Sequence, residues 1–293
     1  MTFLGAAAQR WNALWFSPVS AYPIAAFRIL LGLFLLIYFG TLAPHVTTLF
    51  SSEGVYAPYF VPDYAPAPVV ACLLFAALWL AALGLLLGVR ASVTIPCLLL
   101  LYFYHYFLAL AVKHSSFERL IAIYLLVLWP SRCDSVWALS TPADQNPKPA
   151  ASSFAGRLIR FQTILLYLGA GLWKAANPAW RSGVLLAATL QGIWATPLAF
   201  WLMERGASAQ TWLLLSRAVI AGELLLAGLF FFTRTRPLAI VLGVLFHVIN
   251  CVILSIPEFL VCITPYVFFV PEAAFERLAA RIERFKTRNR ANA

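Results

Sequence analysis

The chain has 293 residues, 62% of them hydrophobic and 11% charged, with a mean hydropathy of +0.85. Soluble domains carry roughly 25% charged residues, so a soluble core, with or without one anchor, is excluded. The net charge of +10 does not point to nucleic acid. Six of the 21 basic residues (Arg277, Arg281, Arg284, Lys286, Arg288 and Arg290) share the last 17 positions, beside an apolar run, where a basic amphipathic tail meets anionic lipid.

A helical span needs about 20 apolar residues to cross ~30 Å of hydrocarbon. In chain order, spans are expected at Tyr22–Leu42, Pro68–Val89, Ser92–Val112 and, shorter, Phe117–Pro130. A Pro/Ala/Ser-rich connection, Ser131–Gly156, follows. The later spans are Arg157–Ala175, Trp212–Thr233, Pro237–Ile256 and Glu258–Val270, the last too short to cross upright. No cleavable signal peptide is expected, because the first apolar run starts near Tyr22 and is too long for an h-region. The fold class is therefore all-α: a polytopic integral membrane bundle of about eight transmembrane helices. Residues 1–271 form its membrane domain and 272–293 a basic cytoplasmic tail.

Gly183–Met203 is apolar enough to span but carries Gln191, Gly192 and Pro197, with Trp180, Trp194 and Trp201 as interface-type residues. Charge decides its placement. With eight spans, Arg10, Arg90, Arg132, Lys148, Arg157, Arg160, Arg234, Arg236 and the six tail residues fall on one side. Lys113, Arg119, Lys174, Arg181 and Arg205 fall on the other. The positive-inside rule then puts both termini in the cytoplasm. A ninth span would move the basic tail outward, so Gly183–Met203 is read as re-entrant or interfacial on the outer face.

Ionisable groups within spans are expensive and mark functional candidates. The topology carries His105 and His114 to the outer half of the third span. In the fifth span Tyr167 lies at mid-depth and Lys174 near the outer surface, seven residues apart and so on one face. His247 and Asn250 share a face of the seventh span. Two accounts stand: a polar site in the outer half of the bundle, or a snorkelling Lys174 and histidines that tie helices together. Arg28 and Glu223 have opposite charges and no other evident partner, so a structural ion pair between them is expected. The five cysteines show no CxxC pair, and no two of the four histidines lie three or four apart, so no metal or haem site is expected.

At the fifth and seventh spans the sequence resembles a family. Arg160-Phe-Gln-Thr-Ile-Leu-Leu-Tyr167-Leu-Gly-Ala-Gly171-Leu-Trp-Lys174, then Trp180-Arg-Ser-Gly183, is similar to the core of the vitamin K-dependent γ-carboxylase-like family, also called HTTM proteins. Phe246-His247-Val-Ile-Asn250 with Ser255-Ile-Pro-Glu-Phe259 resembles its Phe-His segment, and Phe27-Arg28-Ile-Leu-Leu-Gly32 its first helix. The resemblance implies a membrane enzyme in which Lys174 is the catalytic base, supported by His247, His114 and Tyr167. His105, Asn250 and Trp173 become cofactor-binding candidates. It implies a reduced quinone of the vitamin K type, oxygen and CO2 as reactants, since the carboxylase oxidises the hydroquinone to generate a base strong enough for the glutamyl γ-proton. A lysine serves as a base only as the neutral amine, so a desolvated site is implied as well. The outer-face location agrees with the lumenal site of the animal enzyme.

The sequence departs from the carboxylase in three places. Where that enzyme has Asn-Asn-His, this chain reads Lys113-His114-Ser115-Ser116-Phe117; where it has two adjacent lysines, Trp173-Lys174 stands. No counterpart of the large lumenal substrate-recruiting region is expected after the membrane domain, so glutamate carboxylation itself is not the expected reaction. The expected function is modification or maturation of a peptide or protein on the outer face of a bacterial inner membrane. The partners are the lipid bilayer, that unidentified peptide or protein, and an accessory subunit as an option. The alternative is a non-catalytic membrane chaperone or scaffold with the carboxylase-like fold. A small-molecule transporter would call for paired broken helices.

Overall fold

In the computed structural model, residues 3–55, 64–109, 116–141, 150–205 and 208–291 are described. They fold into helices and one short β-ribbon, arranged as two compact units: Met1–Leu158 with Pro271–Ala293, and Ile159–Val270.

The first unit opens with α1 (Phe3–Phe16), too polar to stand out as apolar sequence, followed by β1 (Pro18–Ser20). Next come α2 (Tyr22–Leu42), a 3₁₀ turn running into α3 (Val46–Phe50), α4 (Pro68–Leu87) and α5 (Ala91–Leu108). Proline in the first turn of α2 and α4 presets the backbone without losing a needed donor. α6 (Ser116–Leu128) is amphipathic and short. β2 (Ala150–Ser152) pairs antiparallel with β1, with Val19 opposite Ala151. Aromatic side chains fill this core: Phe27 meets Tyr124 edge-on with ring centroids 5.2 Å apart, and Phe39 packs against Phe75 and Tyr102.

Arg28 is fully buried in this unit, and the expected pair with Glu223 does not form. Its guanidinium donates to the carbonyls of Leu85 and Leu86, each at 3.0 Å, and of Trp137 at 2.5 Å. A cation thus sits on the carbonyls at the C-terminus of α4, where the helix dipole favours it; the Leu85 carbonyl also accepts from the Gly88 nitrogen at 3.1 Å. Those bonds also hold the 131–141 segment, which is fixed further by Asp134 accepting from the Ala91 nitrogen at 2.8 Å.

The second unit holds most of α7 (Ser153–Ala176), the short helices α8 (Pro178–Arg181), α9 (Val184–Thr189) and α10 (Pro197–Glu204), and the long α11 (Ala209–Phe231) and α12 (Arg236–Ile253). Gly183–Met203 is thus broken into short pieces, none long enough to cross a bilayer. Pro257–Phe269 is a 3₁₀ helix of 13 residues. At a rise of about 2.0 Å per residue it reaches ~26 Å, against ~20 Å for an α-helix of that length. This offsets the shortness noted in the sequence. α13 (Glu272–Ala291) belongs with the first unit, where the Glu272 carboxylate accepts from the Ser20 nitrogen at 3.1 Å.

Among the described residues, five helices are long and apolar enough to span: Tyr22–Phe50, Pro68–Leu87, Ala91–Leu108, Ala209–Phe231 and Thr233–Ile253. A sixth qualifies if Pro257–Phe269 joins the following helix as one broken span. An all-α polytopic membrane protein is the result. The count of eight asked more of α6 and α7. The 13 residues of α6 cover only ~20 Å, and α7 carries Arg157, Arg160 and Lys174.

Candidate functional site

Two polar clusters lie along one face of α7 in the second unit. Tyr167, only 3% exposed, places its hydroxyl 2.6 Å from Nε2 of His247 on α12 and in hydrogen-bond contact with the hydroxyl of Tyr266 in the 3₁₀ helix. Each phenol carries one proton, so the chain runs from Tyr266 through Tyr167 to His247 or the reverse. Nδ1 of His247 is buried without a hydrogen-bond partner. The cluster is sealed by Phe230, whose ring lies 5.9 Å from Tyr167 and 4.8 Å from Tyr266. Gly243, one turn before His247, makes the space: a Cβ there would fall on the Tyr266 hydroxyl, 2.8 Å from its Cζ.

Two turns along α7 from Tyr167, Nζ of Lys174 donates to both carboxylate oxygens of Glu223 on α11, at 2.7 and 2.8 Å. The side chains are 16% and 8% exposed. The Trp180 ring lies 5.2 Å from the same nitrogen, within cation–π range. Ser216, two turns before Glu223 on α11, donates to the Trp180 carbonyl at 2.5 Å. Two glycines allow this approach. A Cβ on Gly171 would come within 2.8 Å of the Leu224 side chain, and one on Gly183, whose φ is +82°, within 2.6 Å of the Leu213 nitrogen. The spaced Gly, Lys, Trp and Gly of the sequence are therefore one construction that seats α8 on α11 around an ion pair.

The structure brings Tyr167 and His247 together. Lys174 stands with Glu223, which sequence reasoning had assigned to Arg28. Its amine is bonded to Glu223 and not to His247. Asn250 is half-buried, and its backbone carbonyl closes α12 by accepting from Leu254 at 2.7 Å. Trp173 is 60% exposed and turns away from the packed interior. His114 lies outside the described residues. His105 belongs to the first unit, buried between Phe50 and Phe75, with Nδ1 2.7 Å from the Leu101 carbonyl. A carbonyl only accepts, so the Nδ1 proton is fixed there, and Nε2 is buried without a partner. The cavity His105 lines with Tyr38, Tyr106 and Glu118 measures about 30 Å³. That is room for water and not for a quinone ring.

The HTTM domain model matches residues 16–273. The chain belongs to the HTTM family. This domain marks a vitamin K-dependent carboxylase-like family, and in this HTTM chain the match takes in both polar clusters. No curated protein and no solved structure matches the chain. Sequence reasoning missed Glu223 as the partner of Lys174, together with Tyr266, Gly243 and Ser216. The available signals were spacings: Ser216 to Glu223 is seven residues, as is Tyr167 to Lys174, and Gly243 to His247 is four.

Proposed function

We propose that this HTTM protein modifies or matures a peptide or protein at the outer face of the membrane, with Lys174 as its base and His247, His114 and Tyr167 as supporting groups. The observation that carries this reading is the polar face of α7, where a hydrogen-bonded Tyr–His chain and a lysine–carboxylate pair lie two turns apart and largely withdrawn from water. Burying ionisable groups is costly even when they are paired, and a function explains their retention. A reduced quinone, oxygen and CO2 are the reactants this reading calls for. The cavity at His105 does not fit such a ring, so no step is assigned to that residue.

The reading places eight spans in a bacterial inner membrane with both termini cytoplasmic. The one-sided distribution of Arg and Lys supports this, as does the breaking of Gly183–Met203 into short helices. A non-catalytic scaffold is the second reading, favoured by the fact that the Lys174 amine is already engaged by Glu223.

Co-expression of the full chain with the peptides encoded beside it, followed by mass spectrometry of those peptides, separates the two. The enzyme reading expects a mass change that Lys174→Ala abolishes while the protein still accumulates in the membrane. Lys174→Arg is expected to fail as well, because a guanidinium keeps its proton. A peptide that is bound and stabilised but never altered in mass would establish the scaffold.

A further inference from the structure

We infer that Glu223 and Lys174 form one proton-handling pair, in which the carboxylate takes the ammonium proton and leaves a neutral amine facing the site. The inference rests on the reading of Lys174 as a base and supplies what that reading lacks, a route to the free amine. The transfer is balanced within the pair. One N–H bond of the ammonium breaks, its electron pair stays on nitrogen as the lone pair, and an O–H bond forms on Glu223. No oxidant, reductant or further reactant enters.

Three observations support it. The path is short, with Nζ 2.7 Å from one oxygen and 2.8 Å from the other. Both groups are largely withdrawn from water, at 16% and 8% exposure. Removing two ions from water is expensive, whereas an amine and a carboxylic acid escape most of that penalty, so the surroundings lower the cost of moving the proton. The neighbours also hold the geometry through the change. Gly171 sets the closeness of α7 to α11, and Ser216 anchors the backbone of Trp180, whose ring flanks Nζ. The other charged groups on the flanking helices, Arg181 on α8 and Arg217 on α11, are exposed to the surroundings. A purely structural ion pair would need the contact between charges, but not a position two turns from a Tyr–His chain on the same helix face.

Infrared spectroscopy of the full-length protein in lipid nanodiscs at neutral pH tests the inference without any assay of activity. The expected result is a C=O stretch of a protonated carboxyl group that moves on ¹³C-glutamate labelling and is lost in Glu223→Gln. Glu118 is also buried, so the loss in the variant makes the assignment. If Glu223→Gln does not fold, Glu223→Asp retains a carboxyl group and must take the band out of the glutamate label. Lys174→Met strands Glu223 without a counter-ion and calibrates the full band. A band present in Lys174→Met but missing from the unaltered protein would overturn the inference, because the pair would then be permanently ionised. That outcome is separate from the failure of the enzyme reading, which is judged by the mass of the peptide.

Discussion

Gly243→Ala is the sharpest test of the packing around the Tyr–His chain. At an unobstructed helix position, replacing Gly by Ala gains up to about 1 kcal/mol, because glycine loses more backbone freedom on folding. Gly228 on α11 is such a position, with no heavy atom within 4 Å of a built Cβ. At Gly243 the same methyl group would fall on the Tyr266 hydroxyl, and 2.9 Å from its Cε2. Tyr266 is 3% exposed and wedged against Phe230, so it cannot swing aside without breaking its bond to Tyr167. Overpacking costs roughly 1–3 kcal/mol and the lost hydrogen bond about 1 kcal/mol. Set against the helical gain, the net loss is about 1–3 kcal/mol. Thermal unfolding in detergent, followed by the loss of monodisperse protein, should show Gly243→Ala melting several degrees below Gly228→Ala. Adding Tyr266→Phe should recover part of the difference, since the obstructing oxygen is gone. Equal midpoints for the two alanine variants would refute the close packing of α12 on the 3₁₀ helix.

Two further outcomes are expected. Arg28→Met removes the charged donor from the carbonyls of Leu85, Leu86 and Trp137, of which Leu85 keeps the Gly88 N–H; with bonds to a charged donor worth roughly 1.5–3 kcal/mol each and a buried charge removed, the net loss should be a few kcal/mol, while Glu223→Gln should not rescue it because Glu223 is bonded to Lys174. Single cysteines at Glu53 and Thr287, both exposed, should label from opposite sides of the membrane with an impermeant reagent, Glu53→Cys from outside; Ser51 is unsuitable because it is buried and bonded to the Thr47 carbonyl. Native Cys133 should stay silent in that assay, since burial pushes its thiol up to about 12, and labelling of Thr287→Cys in intact cells would invert the topology.

Five of the eight expected spans were legible because the bilayer imposes a rule on sequence: a crossing segment must be long, apolar and internally hydrogen-bonded. Hence α2 and α4 begin at the residues where hydropathy rises, Tyr22 and Pro68, with proline in the first turn. The β1–β2 ribbon was not legible. Three-residue strands carry no periodicity, and their pairing joins positions 18–20 to 150–152 across most of the first unit. Nor was the 3₁₀ character of Pro257–Phe269, because an apolar run reads alike in either helix.

The site divides along the same line. Tyr167, Lys174 and His247 are polar residues in apolar helices and announce themselves. Tyr266 does not, since it is one aromatic among several in its segment. The pairing of Glu223 failed for an instructive reason. Matching it to Arg28 used charge alone, whereas neighbouring helices pair by direction and spacing. Tyr167 meets Phe230 and Lys174 meets Glu223, so as α7 advances by seven residues α11 retreats by seven. Two helices in contact with opposite direction must pair in that descending order. Leu224 packs beside Gly171 within two residues of that register. Once α7 and α11 are taken as antiparallel neighbours and the contact of Tyr167 with Phe230 is granted, the carboxylate opposite Lys174 is Glu223.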